Sequence, residues 1–122
     1  YNIDLSLEEA QQLLGERNIV CGETDLREIC EILTARDINL EEITLIGSLT
    51  TIRYEQHLPI GLAALDKNDY LGHTDYELEL EVDDSKQGKK DFFDFLDKNR
   101  VEYRFSKSKV VRFLDCLRHL RK

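Results

Sequence analysis

Asp75-Tyr76-Glu77-Leu78-Glu79-Leu80-Glu81-Val82 alternates acidic and apolar residues without a break. A period of two places successive side chains on opposite faces of a β-strand, so Asp75, Glu77, Glu79 and Glu81 line one side and Tyr76, Leu78, Leu80 and Val82 the other. The apolar side reads as a core face. The acidic side repeats a carboxylate about every 7 Å, a spacing at which like charges raise one another's pKa unless solvent or a cation intervenes. Two environments satisfy that row: water, as on an ordinary half-buried antiparallel strand, or a hard divalent cation held by oxygen ligands in a polar cavity.

Working outward, the strand sits in a chain of 122 residues, enough for one ordinary core. With 41% hydrophobic and 34% charged residues, the composition is that of a folded soluble domain rather than a disordered segment. No apolar run approaches the roughly 20 residues a membrane span needs, and no leader-like start is present. The chain begins at Tyr1 and contains no Met, which reads as a segment of something longer. Cys21, Cys30 and Cys116 show no metal-binding spacing and read as reduced, structural thiols of a cytoplasmic protein.

A net charge of -8 argues against nucleic acid or anionic membrane as the partner, since both reward positive surfaces. The charge is unevenly distributed. Arg104 to Lys122 holds seven basic residues and one acid, leaving -14 for the rest of the chain. A basic tail and an acidic strand could meet around an anion and its metal, or pair with each other.

In chain order, Ser6-Leu7-Glu8-Glu9 is a capping box opening a helix through Leu13 and Leu14, with Gly15 as its stop. A second helix is expected after Thr24 to about Arg36, and a short capped turn at Asn39-Leu40-Glu41-Glu42. Leu49 to His57 reads as a strand with Thr51, Arg53, Glu55 and His57 on one face. Leu58-Pro59-Ile60-Gly61 is the turn, Gly61 to Asp66 the return strand, and Asn68-Asp69 with Leu71-Gly72 the next connection. After the acidic strand, Asp84 or Ser85 caps a helix to about Lys98, Val101 to Phe105 reads as a fourth strand, and Ser108 to Arg121 as a last amphipathic helix. The expected fold class is α+β, an antiparallel sheet of about four strands with flanking helices.

Thr51-Ile52-Arg53, Leu65-Asp66, Tyr70-Leu71-Gly72, the acidic strand itself and Ser108-Lys109-Val110-Val111-Arg112-Phe113 together resemble the CYTH family, the triphosphate tunnel metalloenzymes. The small CYTH proteins of Gram-positive bacteria look closest. The resemblance implies an eight-stranded antiparallel barrel, open as a tunnel with charged residues pointing inward, of which residues 1–122 would be the C-terminal half. The family's Glu-x-Glu-x-Lys signature has no counterpart near Tyr1. Within that frame, residues 1–46 would be a helical insertion, 47–106 the strands with one helix at about 85–98, and 107–122 the C-terminal helix.

The resemblance also carries roles onto particular residues. Glu77 and Glu79 match the late-strand carboxylates that coordinate the metal, Mg²⁺ or Mn²⁺, and Asp66 is the further acid, although some relatives place it where this chain has Ala64. Arg53 and Lys109 match cations that bind substrate phosphate. Glu81, Glu55, Lys107 and Arg112 are adjacent without being fixed by the family pattern. The implied activity is metal-dependent hydrolysis of tripolyphosphate, a nucleotide or thiamine triphosphate; the alternative is a module of the same fold that binds nucleotide or polyphosphate without turnover. Nucleic-acid and membrane partners are not expected, and a homodimer is compatible with the family.

Each residue also has a plain structural reading. Arg53 could form a cross-strand ion pair, Asp66 could cap a turn, and Lys109 could sit on the solvent face of its helix. His57 and His73 read as exposed loop-end residues rather than catalytic ones, and His119, in the basic tail, is given no role.

Overall fold

Two tight turns set the sheet. Pro59 and Ile60 join β1 (Leu49–Leu58) to β2 (Gly61–Tyr70), and Leu71 and Gly72 join β2 to β3 (His73–Glu81). Leu71 and Gly72 both have positive φ, 49° and 75°, the twist a two-residue hairpin turn requires. The result is a three-stranded antiparallel sheet in the order β1-β2-β3.

The computed structural model describes residues 2–16, 19 and 26–122. They fall into two compact units, Tyr1–Gly47 and Ser48–Lys122. In the first unit, α1 (Leu7–Glu16) starts at the expected capping box: Glu9 N donates to Ser6 Oγ at 3.2 Å and Ser6 N to Glu9 Oε2 at 2.8 Å. It runs through Gly15 rather than stopping there. The second helix, α2 (Arg27–Thr34), buries Cys30, and a single 3-10 turn over Leu40–Glu42 is capped by the Asn39 side chain. Thr24, where that helix was expected to begin, and Cys21 lie outside the described residues. Cys116 is free.

The second unit adds α3 (Ser85–Lys98) and α4 (Lys109–Leu120) to the sheet. Asp84 caps α3 by accepting from Lys86 N and Gln87 N, and Ser108 caps α4 by accepting from Val111 N. The helix α3 approaches the end of β3 closely: a Cβ on Gly88 would collide with the Val82 side chain. Among the described residues no helix is long and apolar enough to cross a membrane.

Three expectations change. First, β2 does not end at Asp66 but continues through Asn68 and Asp69 to Tyr70, all paired across to β1 and β3. Turn-forming residues are carried in a strand here because neighbouring strands take their backbone groups. Asp66 is therefore a mid-strand residue, not a turn cap. Second, Val101 to Phe105 is irregular, so the sheet has three strands where four were expected. Aromatic and β-branched residues favour a strand only where a ladder partner is present. Third, the buried face of β2 is the polar one. Ala64, Asp66, Asn68 and Tyr70 are buried, whereas Ile52, Tyr54, Leu65 and Tyr76 on the opposite face remain exposed. Asp66 and Asn68 are the largest fully buried side chains among the described residues.

Candidate metal and phosphate site

The sheet register lays out the polar face in rungs. Thr51, Asn68 and Asp75 face one another; then Arg53, Asp66 and Glu77; then Glu55, Ala64 and Glu79. Because side chains on one rung share a face, a basic residue on β1 and acids on β2 and β3 are brought together by pairing alone.

Asp66 is the hub. Its Oδ1 accepts from Arg53 Nε at 2.6 Å and its Oδ2 from Arg53 Nη2 at 2.8 Å, a bidentate fork. Lys109 Nζ, at the first turn of α4, also donates to Oδ2. The Arg53 hydrogen bonds hold the Asp66 carboxyl well below the usual carboxylate range against the opposing effect of burial, and Lys109 adds to them. In turn the Asp66 bond raises the Arg53 guanidinium further. Arg53 Nη2 reaches Glu79 Oε2 at 2.9 Å as well. One carboxylate oxygen from each of Asp66, Glu77 and Glu79 lies within 4.8 Å of the others, a grouping able to hold a metal ion.

Beside this hub lies a second network. Thr51 Oγ1 donates to Asn68 Oδ1 at 2.7 Å, Asn68 Nδ2 to Asp75 Oδ1 at 3.0 Å, and the Tyr70 hydroxyl to Asp75 Oδ2 at 2.7 Å. Arg112 spans Asp75 and Glu77, with Nε 2.9 Å from Asp75 Oδ2 and Nη1 2.8 Å from Glu77 Oε2. The Arg112 Nε contact is an ion pair without hydrogen-bond alignment. Ser106 Oγ donates to the same Glu77 oxygen at 2.7 Å. Burial works to raise both the Asp75 and the Glu77 carboxyls. Tyr70 and Asn68 for the first, Ser106 for the second and Arg112 for both outweigh it, so both end below their ordinary values. The Tyr70 phenol is pushed up, by burial first and then by its bond to Asp75.

Of the five residues expected at the site, Arg53, Asp66, Glu77 and Glu79 share one face of the sheet, and Lys109 reaches Asp66 from α4. Of the adjacent candidates, Arg112 joins them, Glu81 and Glu55 are exposed, and Lys107 pairs with Asp115 at 2.9 Å on the surface. Sequence reasoning missed Asn68, Tyr70 and Ser106, and treated Asp75 only as part of the acidic row. The alternation Ala64, Asp66, Asn68, Tyr70 was a usable signal, hidden by reading Asn68-Asp69 as a turn. Ser106 had none. His73 lies against the Tyr70 ring at 5.7 Å between centroids and His119 Nδ1 lies 2.8 Å from Asp115 O; neither touches the carboxylates.

A cleft of about 600 Å³ runs along the outer edge of β3, between Leu78 and Leu80 on one side and Leu96, Val101 and Tyr103 on the other. Glu77 and Glu79 also line it.

The CYTH domain family model matches residues 1–114. A Bacillus subtilis (strain 168) protein named "Putative triphosphatase YjbK" is 32% identical over 113 residues, covering 92% of this chain and 60% of that protein. The crystal structure of a "putative adenylate cyclase" from Bacillus halodurans superposes with a TM-score of 0.67 at 28% identity, over 89% of this chain and 56% of that one. The chain therefore spans 60% or less of the length of these two relatives. It belongs to the CYTH domain family.

Proposed function

We propose that this chain forms one wall of a charged tunnel in which a triphosphate is hydrolysed with the help of a divalent metal ion. The observation that carries the reading is the convergence, on one sheet face, of three carboxylates within 4.8 Å and two cations, Arg53 and Lys109. The open edge of β3 and the cleft beside it are where further strands of an eight-stranded barrel would attach.

The donor set fits a hard cation, since all three groups offer carboxylate oxygen, the ligand type Mg²⁺ and Mn²⁺ favour. Glu77 and Glu79 would hold it, with Asp66 as the third ligand. When bound, such an ion supplies charge neutralisation to the phosphate oxygens. The remaining work falls to side chains of the chain. Arg53 offers a planar fork suited to two phosphate oxygens, and Lys109 a compact charge suited to one. Both are now turned onto Asp66, which keeps them on the polar face. Transfer of a phosphoryl group to water depends on positioning and charge, so no nucleophilic Ser or Cys is required.

The substrate class is a small molecule carrying a triphosphate: tripolyphosphate, a nucleoside triphosphate or thiamine triphosphate. Such substrates suit a cytoplasmic protein.

The test is phosphate release from tripolyphosphate by the full-length protein with Mg²⁺ or Mn²⁺. Release should fall at least a hundredfold in Glu77→Ala/Glu79→Ala. Unchanged release in that variant would remove the metal-ligand assignment. Tight tripolyphosphate binding with no release by the wild type would instead support the binding module.

A further inference from the structure

We propose that Arg112 is a positioning residue that sets the orientation of the Glu77 carboxylate for cation binding, with Ser106 as its auxiliary. The proposal rests on the reading of Glu77 as a metal ligand.

Arg112 is 35 residues from Glu77 in sequence, yet its Nη1 donates to Glu77 Oε2 at 2.8 Å. The same Nη1 lies 2.6 Å from Ser106 Oγ and bonds to Lys107 O. Ser106 Oγ then donates to the same Oε2 at 2.7 Å. Both bonds therefore fall on one carboxylate oxygen, Oε2, and neither takes Oε1, the oxygen this proposal assigns to the cation. A carboxylate pinned through a single oxygen loses rotation about its last torsion, the freedom a metal ligand must otherwise give up on binding.

The guanidinium is itself fixed from behind. Its other edge lies on Asp75, at 2.9 Å from Nε and 3.4 Å from Nη2. Asp75 in turn accepts from Tyr70 and Asn68. The helix carrying Arg112 is held by the Ser108 cap and by Phe113, whose ring is 6.2 Å from that of Tyr70. Lys109 and Arg112 stand three residues apart on α4 and so face the sheet together. Lys109 serves Asp66, and Arg112 serves Glu77. Only 15% of the Arg112 side chain is exposed, less than Arg53 or Lys109, so it is less available to a substrate than either.

Its charge and its shape act in opposite directions. A cation beside a metal ligand repels the metal, whereas a rigid fork orients the ligand. Arg112→Lys separates the two, because it keeps the charge and removes the planar fork bridging Glu77 and Asp75. Ser106→Ala removes one bond to Oε2 with no change of charge.

Mn²⁺ binding to the full-length protein is measured by titration calorimetry and electron paramagnetic resonance, with thermal melts alongside. Loss of a partner that orients a metal ligand costs about 10–100-fold in affinity. Arg112→Lys is expected to weaken Mn²⁺ binding about tenfold at a temperature where the protein is fully folded, and Ser106→Ala severalfold. Glu79→Gln, a change in the ligand set itself, is the control. If Glu79→Gln loses Mn²⁺ while Arg112→Lys and Ser106→Ala bind within twofold of wild type, the positioning role is overturned and the metal centre stands. If Glu79→Gln also binds like wild type, the metal-centre reading fails and takes the proposal with it. Should Arg112→Lys not fold, Ser106→Ala decides: binding within twofold of wild type overturns the proposal.

Discussion

Asp66 is fully buried, and Arg53, 35% exposed, holds it through two bonds of 2.6 and 2.8 Å. At about 4 Å between charge centres and an effective dielectric of about 20, their gross attraction is about 4 kcal/mol. Desolvation of the carboxylate and screening at the part-exposed guanidinium remove more than half of it, leaving a coupling of about 1–2 kcal/mol. A double-mutant cycle with Asp66→Asn, Arg53→Met and the double variant, each unfolded in urea with chelator present, isolates that coupling. Asp66→Asn should cost about 2–3 kcal/mol on its own, since Lys109 loses its partner as well, and less in the Arg53→Met background. A coupling below about 0.5 kcal/mol would refute the reasoning, because it would class the pair with ordinary surface ion pairs. Repeating the cycle in saturating Mn²⁺ extends it to function. If Asp66 turns toward the ion, the fork to Arg53 is given up and the coupling should fall by about half or more; an unchanged coupling would leave Asp66 a structural anion and Glu77 with Glu79 the ligands.

The acidic limb of stability has a defined sign. Asp66, Asp75 and Glu77 titrate below their unfolded values of 3.8, 3.8 and 4.5, so the unfolded chain binds more protons and stability rises with pH. The urea midpoint of the metal-free protein should be constant above about pH 5.5 and drop as pH falls through 4.5 toward 3, and a midpoint flat to pH 3 would contradict the network. Gly88→Val should destabilise by about 2–3 kcal/mol, read by thermal melts, because a Cβ there collides with the Val82 side chain. Tyr70→Phe should cost about 1 kcal/mol, read by urea unfolding, through loss of the hydroxyl bond to Asp75, and a neutral result would show that water satisfies Asp75 equally well. Arg53→Lys should raise the KM for tripolyphosphate about tenfold or more, since a single ammonium replaces a fork, and an unchanged KM would remove Arg53 from the substrate site.

The local elements were legible in the order of residues alone. Ser6 and Glu9, Asn39, Asp84 and Ser108 marked helix starts that the structure places within a residue or two, because capping is a local bond between neighbours. Alternation in Asp75 to Val82 determined which residues share a face, since the pleat has a period of two regardless of surroundings. The family likeness then singled out Arg53, Asp66, Glu77, Glu79 and Lys109.

What the tertiary structure alone decided was which face is buried, and by what. Alternation is symmetric and says nothing of inside and outside. Only the pairing register, which sets Arg53 opposite Asp66 and Asp66 opposite Glu77, and the approach of α4, which brings Lys109 and Arg112 down on the same face, cover the acids. Those contacts join residues 11 to 43 positions apart, which no local pattern encodes. The same reason explains Val101 to Phe105, strand-like in composition yet irregular: a cleft of about 600 Å³ lies between it and β3, so no ladder pairs with it.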